Sequence, residues 1–388
     1  MDKVIVVQRV CTHYRADLFK ELQKGFNLKL LVSRVNEEEK NAKLRNSDEI
    51  QQINHNKMKT IAFNLSLFGK EYPIIINPGL IINLYKEKPD LILCEGESNI
   101  VNNISIYLYS IFTKTPYIWW GLGRVPSKKV SKVRKTFNTL IKVLLNRAIA
   151  IVSYSTYGKN FYKGIVKNQN KVVKIQNSIN TSDVIDNIPQ FEKEAASEKR
   201  RLNIEDKTIL LFVGAFQKQK NIGLLVEAFE RLKIENPKIA LILVGDGEDK
   251  GNIENMVNEK KLTDVFFMGK QIENVSKYFL MSDIFALPGL GGLAINHAMA
   301  HGLPIVTEIA DGTSADLVKD NQNGYIFEKN NLDDFVNKLN ILIQDKERAK
   351  KMGSYSKELI INEFNMDNMV KAFYEVISKS INSRGMNK

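Results

Sequence analysis

The chain has 388 residues, 44% hydrophobic and 26% charged, which excludes a disordered protein and leaves room for two domains of ordinary size. No uncharged apolar run reaches about 18 residues, and the start MDKVIVVQRV enters a strand pattern without a signal-peptide h-region, so a cytoplasmic protein with no membrane-spanning helix is expected. A net charge of +12 implies an anionic partner, and by itself it does not choose among nucleic acid, a phosphorylated small molecule and an anionic bilayer.

In chain order, the first half alternates β-branched runs with helical patterns. Strands are expected at Val4–Val10, Leu28–Ser33, Leu91–Cys94, Tyr117–Trp120, Ala150–Tyr154 and Val172–Gln176, with helices at Arg15–Gly25, Leu80–Lys88 and Ile100–Phe112. Cys11 and Cys94 lie in or beside apolar strands, which suits reduced core thiols. Thr181–Lys207 is polar and charged and reads as an interdomain connection with an exposed lead-in.

A second alternating series follows. Strands are expected at Ile209–Val213, Ile239–Val244, Val265–Met268, Ile284–Leu287 and Tyr325–Phe327, and helices at Ile222–Ile234, Ser276–Met281 and Leu332–Gln344. The pattern is an α/β protein with two Rossmann-like, doubly wound parallel sheets facing a cleft, where the carboxyl ends of the strands would hold ligands. The expected domains are 1–185, a linker at 186–207, 208–365, and a C-terminal helix in 366–388 that packs back on the first domain.

The stretch PGLGGLAINHAMAHGLPIVT, Pro288–Thr307, reads as a strand end, a glycine turn, a short helix and another strand. Gly289, Gly291 and Gly292 let the backbone approach a ligand, and the helix beginning after Leu293 offers unpaired N–H groups to an anion. Lys218 and Lys220 follow the strand ending at Val213 and Gly214, so they project toward the same place and are expected to bind a diphosphate. Gly245, Gly247 and Gly269 read as turn formers near a base and ribose.

Taken together, VGAFQKQKNIGLLVEAF, LILVGDGE, FFMGK, YFLMSDIFALPG, NHAMAHGLPIVT and the DG…NGYIF segment resemble glycosyltransferase family 4, a large retaining family of GT-B fold. AIVSYSTYGKNFY and KVVKIQNSIN resemble the end of the family's first domain more loosely. The resemblance implies a hexosyltransferase-type enzyme that moves a sugar from a nucleotide-diphosphate donor on the second domain to an acceptor hydroxyl on the first, with retention and without cofactor or obligatory metal. Basic side chains and helix N-termini would then meet the leaving diphosphate's charge.

Three departures matter. The family's two glutamates, eight positions apart, align with Gly289 and His297, and the arginine of its VGR segment aligns with Ala215; its carboxylate near GGxxE is matched by Asp316. Losing one hydrogen bond to a charged group costs about 1.5–3 kcal/mol, so other groups must take over in an active enzyme. The alternative is a catalytically silent GT-B protein that partners an active transferase. Glutamate restored at 289 and 297 is expected to harm the first and to awaken the second.

His297 is expected to aim its imidazole at ribose or diphosphate, with His301 outside direct contact; their spacing of four suits zinc, but no third ligand accompanies them and no metal is expected. In the first domain His13, Arg15, Glu95, Glu97 and Arg124 sit at strand-to-helix junctions, and His13 and Glu95 are candidates for positioning the acceptor. A protein nucleophile, if used, would be Glu95 or Glu97; front-face displacement, with the donor phosphate taking the acceptor proton, needs none. Ser127–Ala148 holds seven cations, no acid and an apolar stripe, a basic amphipathic helix suited to anionic lipid on the inner face of the cytoplasmic membrane and hence to a lipid-linked glycan acceptor. No nucleic-acid recognition motif is present, and nucleic acid is not expected as a partner.

Overall fold

A computed structural model describes residues 1–33, 48–67, 70–124, 132–271 and 274–385. The chain divides into two compact units, Met1–Gln176 with Met366–Lys388, and Asn177–Asn365.

The strands of unit 1 are β1 (Lys3–Gln8), β2 (Asn27–Ser33), β3 (His55–Met58), β4 (Ile61–Leu67), β5 (Lys70–Ile76), β6 (Leu91–Glu95), β7 (Tyr117–Gly121), β8 (Ala150–Ser153) and β9 (Val172–Lys174). All but β4 and β5 form one parallel sheet in the order β3-β2-β1-β6-β7-β8-β9. Val4–Gln8, β6, β7 and β8 are buried throughout, because helices cover both faces of a parallel sheet. The antiparallel hairpin β4–β5 was not expected from the sequence.

Helix Met366–Gly385 belongs to this unit. Met366, Met369, Phe373 and Ile377 are buried at helical spacing among β1, β6 and β7 residues, and Phe373 meets Trp120 edge-on at 4.9 Å. Cys11 and Cys94 are buried thiols, and burial raises the pKa of both, that of Cys11 to about 12.

Unit 2 contains β10 (Thr208–Val213), β11 (Ile239–Val244), β12 (Val265–Phe267), β13 (Ile284–Leu287), β14 (Ile305–Thr307) and β15 (Gly324–Ile326), parallel in the order β12-β11-β10-β13-β14-β15. This is the Rossmann order, with strand order reversing between β10 and β13. Residues 186–207, expected as a linker, hold helix Ile188–Leu202, which starts at Asn187 with Pro189 in its first turn, buries Phe191 and Ala195, and packs on helix Ser276–Leu280.

Candidate active site

At the reversal point of unit 2, the loops leaving β10 and β13 lock together. Leu290 donates its N–H to Gln219 O at 2.8 Å, and the Lys220 ammonium donates to Leu290 O at 2.5 Å and Gly291 O at 2.6 Å. Lys220 is therefore threaded into the glycine loop, with two of its three hydrogens on backbone carbonyls. Burial pulls its pKa below the usual lysine value, opposed by the charge of Asp311.

Gly289 is what permits this closure. A Cβ placed there would lie 2.5 Å from Gln219 O and Lys220 C and 2.6 Å from Lys220 O, all backbone atoms that have no room to retreat. The missing glutamate at 289 is therefore a steric requirement of this loop pair. Gly292 is exposed at φ +145° and precedes Leu293 and helix Ala294–Ala300.

Asp311 was not singled out from the sequence. Its Oδ1 accepts from Thr313 N at 3.0 Å and Thr313 Oγ1 at 2.6 Å, fixing the start of helix Thr313–Leu317, while Oδ2 lies 3.1 Å from where a Gly291 Cβ would stand. Glu308 was missed as well. It follows β14, is 4% exposed, has no partner for Oε2, and carries a pKa raised by burial against the opposing Asn330 N–H and Lys329. The sequence signal was a glutamate directly after the buried strand IVT.

The remaining expected residues fall as follows. Lys218 is exposed and Asp316 is half-buried on helix Thr313–Leu317. Gly214 N donates to Val244 O at 3.0 Å and Gly245 N to Gly269 O at 2.8 Å, so the ends of β10, β11 and β12 are tied through glycines. A Cβ on Gly245 would lie 1.9 Å from Gly214 O, whereas one on Gly269 would meet open space.

His297 turns its ring against Phe279, centroids 5.8 Å apart and 18° from parallel, and His301 stacks on the same Phe279 at 5.1 Å. His301 Nδ1 lies 2.7 Å from His297 O and its Nε2 is buried without a partner, which fits a neutral imidazole protonated at Nδ1. Burial lowers its pKa from 6.5 to about 4. Because the folded value lies below the unfolded one, this neutral ring's contribution is complete above pH 6.5 and fades as pH falls toward 4. The full loss is about 3 kcal/mol at about 1.4 kcal/mol per unit. Urea unfolding of His301→Gln across pH 4–7 is expected to show a slope smaller by one proton; an unchanged slope contradicts the assignment.

Unit 1 has its own reversal point between β1 and β6. There Glu95, 6% exposed, accepts from Arg9 N at 2.8 Å, Arg9 Nε at 3.2 Å, Arg9 Nη2 at 3.1 Å and Ser98 Oγ at 2.7 Å. Burial raises its pKa, but Arg9 and Arg15 outweigh that and the net shift is downward. A carboxylate this fully engaged has little left for an acceptor or an anomeric carbon. Tyr162 OH donates to Glu97 Oε1 at 2.5 Å, and Trp119 Nε1 to Tyr162 OH at 3.3 Å. Arg15 bonds Gln8 and Tyr154 and lies 4.8 Å over the Trp120 ring. Arg124 is exposed. His13 opens helix His13–Leu22, and its side chain lies outside the described residues.

Residues 194–359 match the family model Glycosyl transferases group 1, spanning β10 to β15 and both loops of the reversal point. The chain is a glycosyltransferase. This transferase is 26% identical to an uncharacterized glycosyltransferase of Haemophilus influenzae over 60% of its own length and 71% of that protein's. It is 25% identical to the N-acetyl-alpha-D-glucosaminyl L-malate synthase of Bacillus anthracis over 64% of its length and 65% of that chain. Anabaena HepE crystallised with UDP shares the fold at a TM-score of 0.77 and 14% identity, covering 98% of this chain and all of that one. Its two Rossmann-like units are of the GT-B kind.

Proposed function

We propose that the enzyme moves a sugar from a nucleoside-diphosphate donor held by unit 2 to a hydroxyl of a glycan acceptor received by unit 1, with retention at the anomeric carbon. The observation that carries the reading is Lys220. A half-buried ammonium anchored by Leu290 O and Gly291 O keeps one hydrogen for a phosphate oxygen at the point where a Rossmann sheet reverses. HepE bound to UDP and to UDP-glucose supports a uridine diphosphate donor.

The chemistry assigned to the chain's own groups is modest. Lys220, with Lys218 from solvent, offsets the charge growing on the leaving diphosphate, and the glycine loop and the helix after Leu293 supply backbone N–H groups. Asp311 keeps Lys220 charged. The acceptor proton passes to the departing phosphate oxygen in a front-face displacement, and with Glu95 bound to Arg9 no protein nucleophile is invoked. The acceptor is a lipid-linked glycan of cell-surface polysaccharide assembly at the inner face of the cytoplasmic membrane, a reading supported by the cations of 127–148.

Gly289, His297 and Ala215 favour a second reading, a silent GT-B protein that binds a donor without turning it over. A thermal-shift screen against UDP-, GDP- and dTDP-sugars, followed by a transfer assay, separates the two. A donor at a hundred times its dissociation constant is expected to stabilise by about 2.7 kcal/mol. Stabilisation without turnover selects the silent reading, and no shift with any donor removes both.

A further inference from the structure

Helix Ile100–Thr113 buries the polar Asn102, Asn103 and Ser110 together with Ile106 and Tyr109, while Leu108, Ile111 and Phe112 are 41%, 42% and 76% exposed. The inward face is explained by the fold. Asn102 Nδ2 donates to Ile75 O, Asn77 Oδ1 and Asn99 Oδ1, and Asn103 Nδ2 to Glu95 O and Gly96 O, so these amides satisfy loop ends beside the sheet. The outward face packs on none of the described core clusters, and the whole helix contains no charged residue.

Cations flank that face. Helix Lys132–Arg147 packs beside it, with Arg147 Nη2 donating to Ser110 O at 2.9 Å, and both Arg147 and Lys114, the residue after the apolar helix, are exposed. Residues 100–114 and 132–148 contain no acid. Two-fold pairing of this face with a second copy would oppose these cations to themselves. Apolar side chains flanked by cations instead match an anionic lipid surface, where acyl chains take the first and headgroups the second.

We propose that unit 1 docks on an anionic bilayer through Leu108, Ile111 and Phe112, flanked by Lys114 and Arg147, so that the contact expected from residues 127–148 is centred on the neighbouring helix. The proposal deepens the lipid-linked acceptor reading and rests on it for its purpose, but its test does not depend on turnover.

The test is sedimentation of the full chain with phosphatidylcholine vesicles and with vesicles carrying 30% phosphatidylglycerol. Binding is expected only to the second. Ile111→Ser with Phe112→Ser is expected to weaken it at least tenfold, and Lys114→Gln with Arg147→Gln by about fivefold per cation, as about 1 kcal/mol for each implies. All four positions are exposed, and an unchanged melting temperature checks the fold. Equal sedimentation with both vesicles, binding untouched by the 111/112 pair, or self-association without lipid that the 111/112 pair abolishes overturns the proposal. Donor-induced stabilisation measured on the same samples reports on the transfer reading separately: its loss sinks that reading while the vesicle result stands, and the converse holds.

Discussion

Gly289→Ala is expected to lower kcat/KM about a hundredfold or more and to reduce the melting temperature by several degrees. The added methyl falls 2.5–2.6 Å from backbone atoms of Gln219 and Lys220, so the loops after β10 and β13 must part. Forcing an extra carbon into packed surroundings costs about 1–3 kcal/mol, and each 1 kcal/mol moves the melting point of a domain this size by about 2–4 °C. The rate falls because Lys220 is carried by one of those loops and anchored to the other, and a shift of about 1 Å in a positioning group costs about 10²-fold. Wild-type donor affinity and stability in Gly289→Ala would contradict the account.

The same geometry changes what a glutamate at 289 can report. Gly289→Glu meets the collision at its Cβ before its carboxylate reaches any ligand, so loss of activity in the double replacement at 289 and 297 does not separate an active enzyme from a silent one. His297→Glu alone carries that comparison, since His297 is half-buried, leans on the Phe279 ring and already carries a Cβ.

The sheets were legible because buried parallel strands such as IVVQ, LILC and ILLFV read as unbroken apolar runs. Hairpin β4–β5 was not, because Ile61, Phe63 and Leu65 face outward, so its alternation marks no core. Helix Ile188–Leu202 was hidden by its composition: only Phe191 and Ala195 are buried, and Pro189 reads as a breaker although it fits a helix's first turn. In the site, the glycine loop and Lys220 were visible as local spacing. The grip of Arg9 on Glu95, 86 residues apart, and the approach of Asp311 to the Gly291 loop depend on which strand ends the fold brings together, and no local pattern records that.

Lys220→Met is expected to lower kcat/KM about a thousandfold and to abolish measurable nucleotide affinity in calorimetry. It removes the proposed phosphate contact and both bonds to Leu290 O and Gly291 O, at about 1.5–3 kcal/mol for each bond to a charged group, so donor binding and loop position are lost together. The pH dependence isolates the charge. Lys220 acts as an ammonium, its pKa is lowered by burial, and activity therefore falls on the alkaline side as it deprotonates. Asp311 opposes that lowering, so Asp311→Asn is expected to move the alkaline limb to lower pH while the plateau rate, set by the ammonium form, is largely kept. An alkaline limb that stays in place in Asp311→Asn would mean that another group sets it and that Lys220 does not carry the charge facing the diphosphate.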